Sequence, residues 1–484
     1  MLIVTLWITI ALAGLVLTLA FSMRTEAMAA ANRISQAQAE AAERGMEQWL
    51  LSVVDLELTT PGTIETTPME GRQIGDCYAW VCQPDYNNDG AQIYGMTDEA
   101  GKIDLNTATE DMLMLLPGMT QDVADAILDW RNPNTTVSSM GAEDDYYMSL
   151  PQPYHCKNSP YESLDELLLV KGVTPELLYG YDHNRNGIID DKEGASGNLG
   201  TAINAAGDAG VGFAPFVTVY GIQATVPAAN AVAATPPAAS PTTTIVNVNT
   251  RIAPNAVTSP LLTVLTTALS ASRAQEIFNA TKEMSNATTN GQPFDNIFDF
   301  YFKVKLTVDE FTKIYPQITA TAPSASPTTA PSPGPTPATT TPKIAKVNIN
   351  TAPRDVLLCL PGLTDSDADA IISHRQSNTS TMSSSTDPSN IAWLADIIDQ
   401  AKALSMGKYV TGKSVVFSGD VVAISPDGRA FRRYRVVVSG QTTPAHIVYR
   451  RDMTQYGWPL PAEIRDSIRS GQGYEPPLSG GLTQ

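Results

Sequence analysis

The sequence predicts an α+β fold: a long N-terminal helix and an antiparallel sheet, with a large helical region inserted between the sheet's strands. Three observations carry this. Arg24 to about Asp55 has one glycine, no proline and many strong helix formers. β-Branched runs lie both early, around Cys77 to Thr97, and late, from Ser414 to Arg451. Between them a unit occurs twice: Gly101-Lys-Ile-Asp-Leu-Asn-Thr-Ala108, Leu116-Pro-Gly118, Ala124-Asp-Ala-Ile127 and Arg131 return as Lys346-Val-Asn-Ile-Asn-Thr-Ala352, Leu360-Pro-Gly362, Ala368-Asp-Ala-Ile371 and Arg375. Asn106, Pro117 and Arg131 find their counterparts at one offset of 244 residues, so the copies align without a gap. Ungapped self-similarity of this length marks a duplicated supersecondary unit.

The chain has 484 residues, enough for about two to four domains. Its net charge of −19 disfavours nucleic acid, whose phosphates need Lys and Arg, and suits divalent cations and basic partner surfaces. Leu2 to Phe21 carries no charge and is long enough to span a bilayer as a helix. A cleaved signal peptide, a plain anchor and a helix that continues outside the membrane all fit that run. Ala27, Ala31, Ile34, Ala42, Met46, Trp49 and Val53 then supply an apolar stripe at helical spacing. A helix that is apolar first and amphipathic later resembles the start of type IV pilin-like subunits. Such precursors carry a short basic leader ending in Gly. None precedes Met1, so Met1 is either an internal start or follows a removed leader. The Glu that most pilins carry near the mature start is also missing from this run.

Pro61-Gly62 breaks the helix. Cys77 to Gln83 and Gln92 to Thr97 read as strands joined by a turn-rich loop, Asp85 to Gly90. In the first repeat, Asn106-Thr107 reads as a helix N-cap region ahead of Met112, Leu113, Leu115 and Leu116. Pro117-Gly118 makes a turn, and Val123, Ala126, Ile127 and Trp130 form a second amphipathic helix. Ala224 to Thr244 and Ala320 to Pro342 are Ala/Pro/Thr/Ser-rich linkers. Between them Val246-Asn-Val-Asn-Thr250 echoes the repeat opening, so 245–319 reads as a degenerate third unit with an aromatic-rich helix at Phe294 to Phe302. The expected organisation is then 1–60 membrane and N-terminal helix, 61–100 first strands and 101–222 first helical unit. A linker at 223–244, the degenerate unit at 245–319 and a second linker at 320–343 follow. The chain closes with the unit 344–412, strands at 413–452 and a loosely ordered Pro- and Gly-rich tail, 453–484. The four cysteines, Cys77, Cys82, Cys156 and Cys359, are compatible with unpaired thiols or with one disulfide. Arg432, Arg433, Arg435, Arg450 and Arg451 form the main basic cluster and read as an ordinary polar sheet face.

The strongest ligand motif is Asp182-His-Asn184-Arg-Asn186-Gly187-Ile188-Ile-Asp190-Asp-Lys-Glu193, which fits a twelve-residue EF-hand loop. Oxygen donors fall at positions one, three, five, nine and twelve, with Gly at six for the sharp turn. Asp182, Asn184, Asn186, the Ile188 carbonyl, Asp190 and Glu193 would surround one calcium ion. Flanking helices are weak, so the affinity expected is extracellular in grade, about 10⁻⁴ to 10⁻³ M. Glu143 and Asp144 form a weaker second candidate. Asp85, Asn87 and Asp89 fail at the twelfth position, which is Met96.

Gly101 to Ala108, Asp129-Trp-Arg131, Gly141-Ala-Glu-Asp-Asp-Tyr-Tyr147 and Glu166-Leu-Leu-Leu-Val-Lys-Gly-Val173 together resemble the protein K family, the large minor pseudopilins of type II secretion systems. The resemblance implies a pilin-like sheet with inserted helical units of the helix-hairpin-helix or SAM-like kind. It implies calcium binding, explains the missing Glu and places the chain at a pseudopilus tip. Implied partners are I- and J-type minor pseudopilins and the major pseudopilin. The implied location is the bacterial inner membrane, single-pass through residues 2–21, with the bulk in the periplasm. An alternative is a membrane-anchored helix-hairpin-helix DNA-binding protein of the competence type. Against it, Met119 and Leu363 stand where a second hairpin Gly would let backbone approach phosphate. Asp122, Asp125, Asp365, Asp367 and Asp369 also crowd the hairpins. No nucleophile–base set, phosphate loop or dinucleotide fingerprint is present, and no catalytic activity is expected.

Overall fold

The computed structural model describes residues 2–84, 92–186, 212–221, 245–253, 256–287, 293–320, 345–379 and 389–475. The Asp85–Gly90 turn, the two linkers beyond Ala320 and Gly221, and the second half of the cation loop lie outside them.

Helix α1 runs unbroken from Leu2 to Thr59 and is long and apolar enough to cross a membrane. Its first part is exposed. From Ser35 onward one stripe is buried, including Ala39, Ala42, Met46, Leu50 and Val53. The stripe recurs every three to four residues, as one face of a helix requires.

That stripe packs on an antiparallel sheet. The strands are β1 (Arg72–Ile74), β2 (Cys77–Pro84), β3 (Gln92–Tyr94) and β4 (Thr97–Asp98) before the insert, and β11 (Val416–Ile424), β12 (Phe431–Ser439) and β13 (His446–Asp452) after it. Their order is β1-β2-β11-β12-β13, with β3 on β2 and β4 on β11. The predicted sheet, strands from both sides of a helical insert, is therefore the one that forms. Alternation along β11 sends Val421 and Ala423 toward α1 and Val422 and Ile424 to the opposite face.

The opposite face corrects the expectation of a loose tail. After Asp452 the chain forms a 3₁₀ turn, Thr454–Tyr456, and a helix, Ala462–Arg469. Leu460 and Ile468 bury against Trp80, Val422 and Ile424. Trp458 and Tyr474 meet the Trp80 ring edge-on at 5.9 and 5.2 Å. A sheet apolar on both faces needs a second cover, and residues 453–475 supply it.

Three helical units fill the insert, each closed by a two-residue parallel pairing between its opening and its end. The pairs are β5 (Ile103–Asp104) with β6 (Val217–Thr218), β7 (Val246–Asn247) with β8 (Ile318–Thr319), and β9 (Val347–Asn348) with β10 (Val410–Thr411). In each opening an Asp or Asn oxygen accepts from the backbone two residues on: Asn106 N to Asp104 at 2.9 Å, Asn249 N to Asn247 at 3.0 Å and Asn350 N to Asn348 at 3.0 Å. The next asparagine clamps distant backbone. Asn106 exchanges hydrogen bonds with the backbone of Tyr161, and Asn249 does the same with Phe294. Asn106 is thus a clamp and not a helix cap; Thr109 caps the helix Glu110–Met114. Arg131 donates to the carbonyls of Leu105 and Ala108, and Arg375 to Ala352. The repeat's signature residues close backbone that no regular ladder satisfies.

The middle unit shares this closure although its helices differ. Pro260–Ala268 and Ala271–Ala287 replace the short helix, Pro-Gly turn and longer helix of the other two. Its aromatic helix is Ile297–Val304, capped by Asn296. One apolar core runs through all three units. Asn296 also donates to Leu404 O and Asn390 to Thr312 O, joining the middle unit to the third.

Two buried acids join the insert to the sheet. Asp98 accepts from Asn348 and Thr351 of the third unit and from Ser414. Glu99 accepts from Lys102, from Thr218 at the end of the first unit and from Ser418 on β11. Burial pushes the Glu99 carboxyl up, but Lys102 and the two hydroxyls outweigh it and hold the group below its ordinary range.

Candidate cation loop and its seat on the sheet

Short elements lead into the loop. Thr174 caps the helix Pro175–Tyr179, and Gly180 ends it. Asp182 and Asn186 are buried. Asn186 N donates to Asp182 Oδ1 at 3.0 Å and to Asn184 Oδ1 at 2.9 Å, so the first, third and fifth loop positions curl around one another. Asp and Asn side chains accept from nearby backbone in this way in many turns. Ile188, Asp190 and Glu193 lie outside the described residues. Among the described residues no group of three His, Cys, Asp or Glu side chains comes together.

The loop rests on charged residues of the sheet face opposite α1. Arg433 is fully buried. Its guanidinium donates to Asn184 O at 2.7 Å and Arg185 O at 2.8 Å, and Arg435 adds a bond to Arg185 O at 2.9 Å. Asp420 binds both arginines, each at 2.6 Å. Burial pushes the Asp420 carboxyl up, and the two guanidinium groups more than offset this, leaving it below its ordinary range. Arg185 pairs with Asp165 at 3.0 Å and lies over the rings of Tyr179 and Tyr456 at 4.0 and 4.7 Å. Arg451 also pairs with Asp165. The expectation of an ordinary polar face is therefore corrected for Arg433, Arg435 and Arg451. They are the seat of the first helical unit. Sequence offered no spacing signal for this, because the carbonyls that Arg433 and Arg435 bind lie some 250 positions away.

The second candidate pair is split. Asp144 is at the surface, with one oxygen 2.6 Å from Cys156 N and the other 3.0 Å from His155 Nδ1. Glu143 is buried, and neither of its oxygens accepts a hydrogen bond; Asn158 Oδ1 is buried in the same condition. Buried acceptors without donors are rare and costly. Of the candidate pair, Glu143 is thus the buried acid and Asp144 the surface one, already held by Cys156 N and His155. All four cysteines are unpaired and buried. Cys77 and Cys82 belong to cores on opposite faces of β2.

Residues 105–181 match the family model of type II secretion system protein K. Over this unit the chain is similar to the protein K family. The protein K of Aeromonas hydrophila is 48% identical over 56 residues, which cover 11% of this chain and 17% of that protein's length. A solved complex of K, I and J proteins from the type 2 secretion system of enterotoxigenic Escherichia coli aligns with 89% of this chain and 99% of its own, at 10% identity and a TM-score of 0.39. At that level it adds nothing to the fold described above.

The protein K match contains Asn106, Arg131, Glu143 and Asp165, and ends one residue before the cation loop. Within it, the hairpin glycine Gly118 has φ +68°, and its counterpart in the third unit, Gly362, has φ +85°. A side chain at either would be strained. The hairpin amide of Thr364, the kind of donor that would face a phosphate, is filled by Asp367 at 2.8 Å. Asp365 and Asp369 are tied to Arg354, and Asp367 also to Lys402.

Proposed function

We propose that the chain is a minor pseudopilin that caps the tip of a periplasmic type II secretion pseudopilus and helps initiate its assembly. Residues 2–21 hold it in the inner membrane, single-pass, until it assembles with I- and J-type minor pseudopilins and the major pseudopilin. The observation that carries the reading is the position of the insert. Three units with one core enter the sheet between adjacent strands β4 and β11 and are locked there by Asp98 and Glu99. So large a body fixed to one sheet would leave a further subunit no room above it. Repeat units of the helix-hairpin-helix kind would act here as bulk.

Calcium belongs to the same proposal. Asp182, Asn184 and Asn186, completed by Ile188, Asp190 and Glu193, would hold one ion, and Glu143 with Asp144 a weaker second. The ion would neutralise carboxylates and pin loops, which is assembly work and not catalysis. DNA binding has no observation in its favour, given the net charge of −19 and the carboxylate already on the hairpin amide.

The test excises 102–412 and joins the ends with a short Gly/Ser turn. Asp98 and Phe417 already face each other in the antiparallel pair, so a hairpin can close the gap. The excised subunit should be incorporated along pseudopili. Confinement to the tip would overturn the cap reading.

A further inference from the structure

The carbonyls of Asn184 and Arg185 occupy the third and fourth positions of the cation loop. In a loop of this pattern the first, third and fifth positions offer side-chain oxygens, and the one carbonyl ligand comes from the seventh. Carbonyls three and four must then point away from the ion. Here they point at Arg433 and Arg435, which take both of them through three hydrogen bonds. Arg185 holds a left-handed backbone, φ +56°, which a non-glycine residue adopts at a cost. The accepted bonds on its carbonyl, the ion pair with Asp165 and the Tyr179–Tyr456 sandwich hold it there. The arginines themselves cannot drift, because Asp420 fixes both.

We infer that Arg433 and Arg435 are positioning residues for the cation loop, so that filling the loop and seating the first helical unit on the sheet favour one another. The inference rests on the calcium reading of the loop. Its logic is linkage: a contact that orders the loop toward its ligand-bound shape raises affinity, and the ligand strengthens that contact by the same factor. Groups that orient a metal's ligands commonly alter affinity by about ten- to a hundredfold when lost.

The test titrates calcium chloride into the full chain in detergent micelles and follows hydrogen exchange in 179–186 and in β12. Arg435→Met is the variant of choice, because Arg435 is partly exposed and Arg433 continues to neutralise Asp420. Wild type should bind calcium, with slower exchange in both segments. Arg435→Met should bind about tenfold more weakly, and calcium should no longer slow exchange in β12. A merely structural arginine would lower the melting temperature equally with and without calcium. That result, with affinity unchanged, overturns the inference and leaves the loop standing. Glu193→Gln separates the two claims. If it matches wild type in its calcium response, the loop reading falls and the inference with it.

Discussion

Glu43 lies on the buried stripe of α1, where the helix meets the sheet. Its side chain is wholly buried, and so nearly is that of Glu47, one turn on. One cation serves both: Arg450 of β13 donates to Glu43 Oε2 at 2.9 Å and to Glu47 Oε1 at 2.6 Å. The Arg450 guanidinium lies 3.6 Å above the Tyr434 ring, whose hydroxyl reaches Asp452. Glu43 Oε1 has no partner. Burial first, and then the neighbouring Glu47, push the Glu43 carboxyl from 4.5 to about 8, against the pull of Arg450. The folded state therefore holds this proton more tightly than the unfolded chain. Its stabilisation is complete below pH 4.5 and is lost as pH rises toward 8. Each unit of such a difference corresponds to about 1.4 kcal/mol. Across pH 5 to 8 the ideal loss approaches about 4 kcal/mol, and sharing within the carboxylate pair reduces it to about 2–4 kcal/mol. Glu43→Gln keeps the shape of the protonated acid. It should match wild type near pH 5 and gain about 2–4 kcal/mol of local stability by pH 8. Hydrogen exchange of β12 and β13 amides in the full chain measures this opening energy directly. Parallel pH profiles for wild type and Glu43→Gln would refute the reasoning.

Two further outcomes follow from packing. Asn249→Ala strips partners from both the N–H and the C=O of Phe294 in a buried site, and should destabilise the middle unit by about 2–4 kcal/mol in exchange measurements, against under 1 kcal/mol for exposed Asn279→Ala. Trp458→Ala removes the edge-on cover of Trp80 and Phe431, and should cost the sheet about 2–4 kcal/mol in denaturant unfolding. An effect below 1 kcal/mol would return residues 453–475 to the status of a tail.

The parts legible in the sequence were those whose signal is local and periodic. The run from Leu2 to Asp55 could be little but helix, and the β-branched runs at 416–424 and 431–439 could be little but strands. The Val-Asn-Val-Asn-Thr echo identified the middle unit because closure depends on those few residues: a two-residue strand, an Asn that turns the chain and an Asn that clamps it. The helices between are free to diverge, so no Pro-Gly turn marked them. What sequence hid is long-range pairing. Nothing near Asn106 announces Tyr161, and nothing near Arg433 announces the carbonyls of Asn184 and Arg185. The packed tail did leave a signal. β11 is buried along its whole length, with Val421 and Val422 facing opposite sides, so a second cover was required. Trp458, Leu460, Ile464 and Ile468 are the apolar residues of the tail that provide it, within a stretch whose Pro and Gly suggested looseness.

The central claim is that this subunit ends a filament. The direct measurement is immunogold or fluorescent labelling of the intact chain on isolated pseudopili, counting label against position. The account predicts label at one end of each filament and none along its length. Label repeated along the shaft would contradict it.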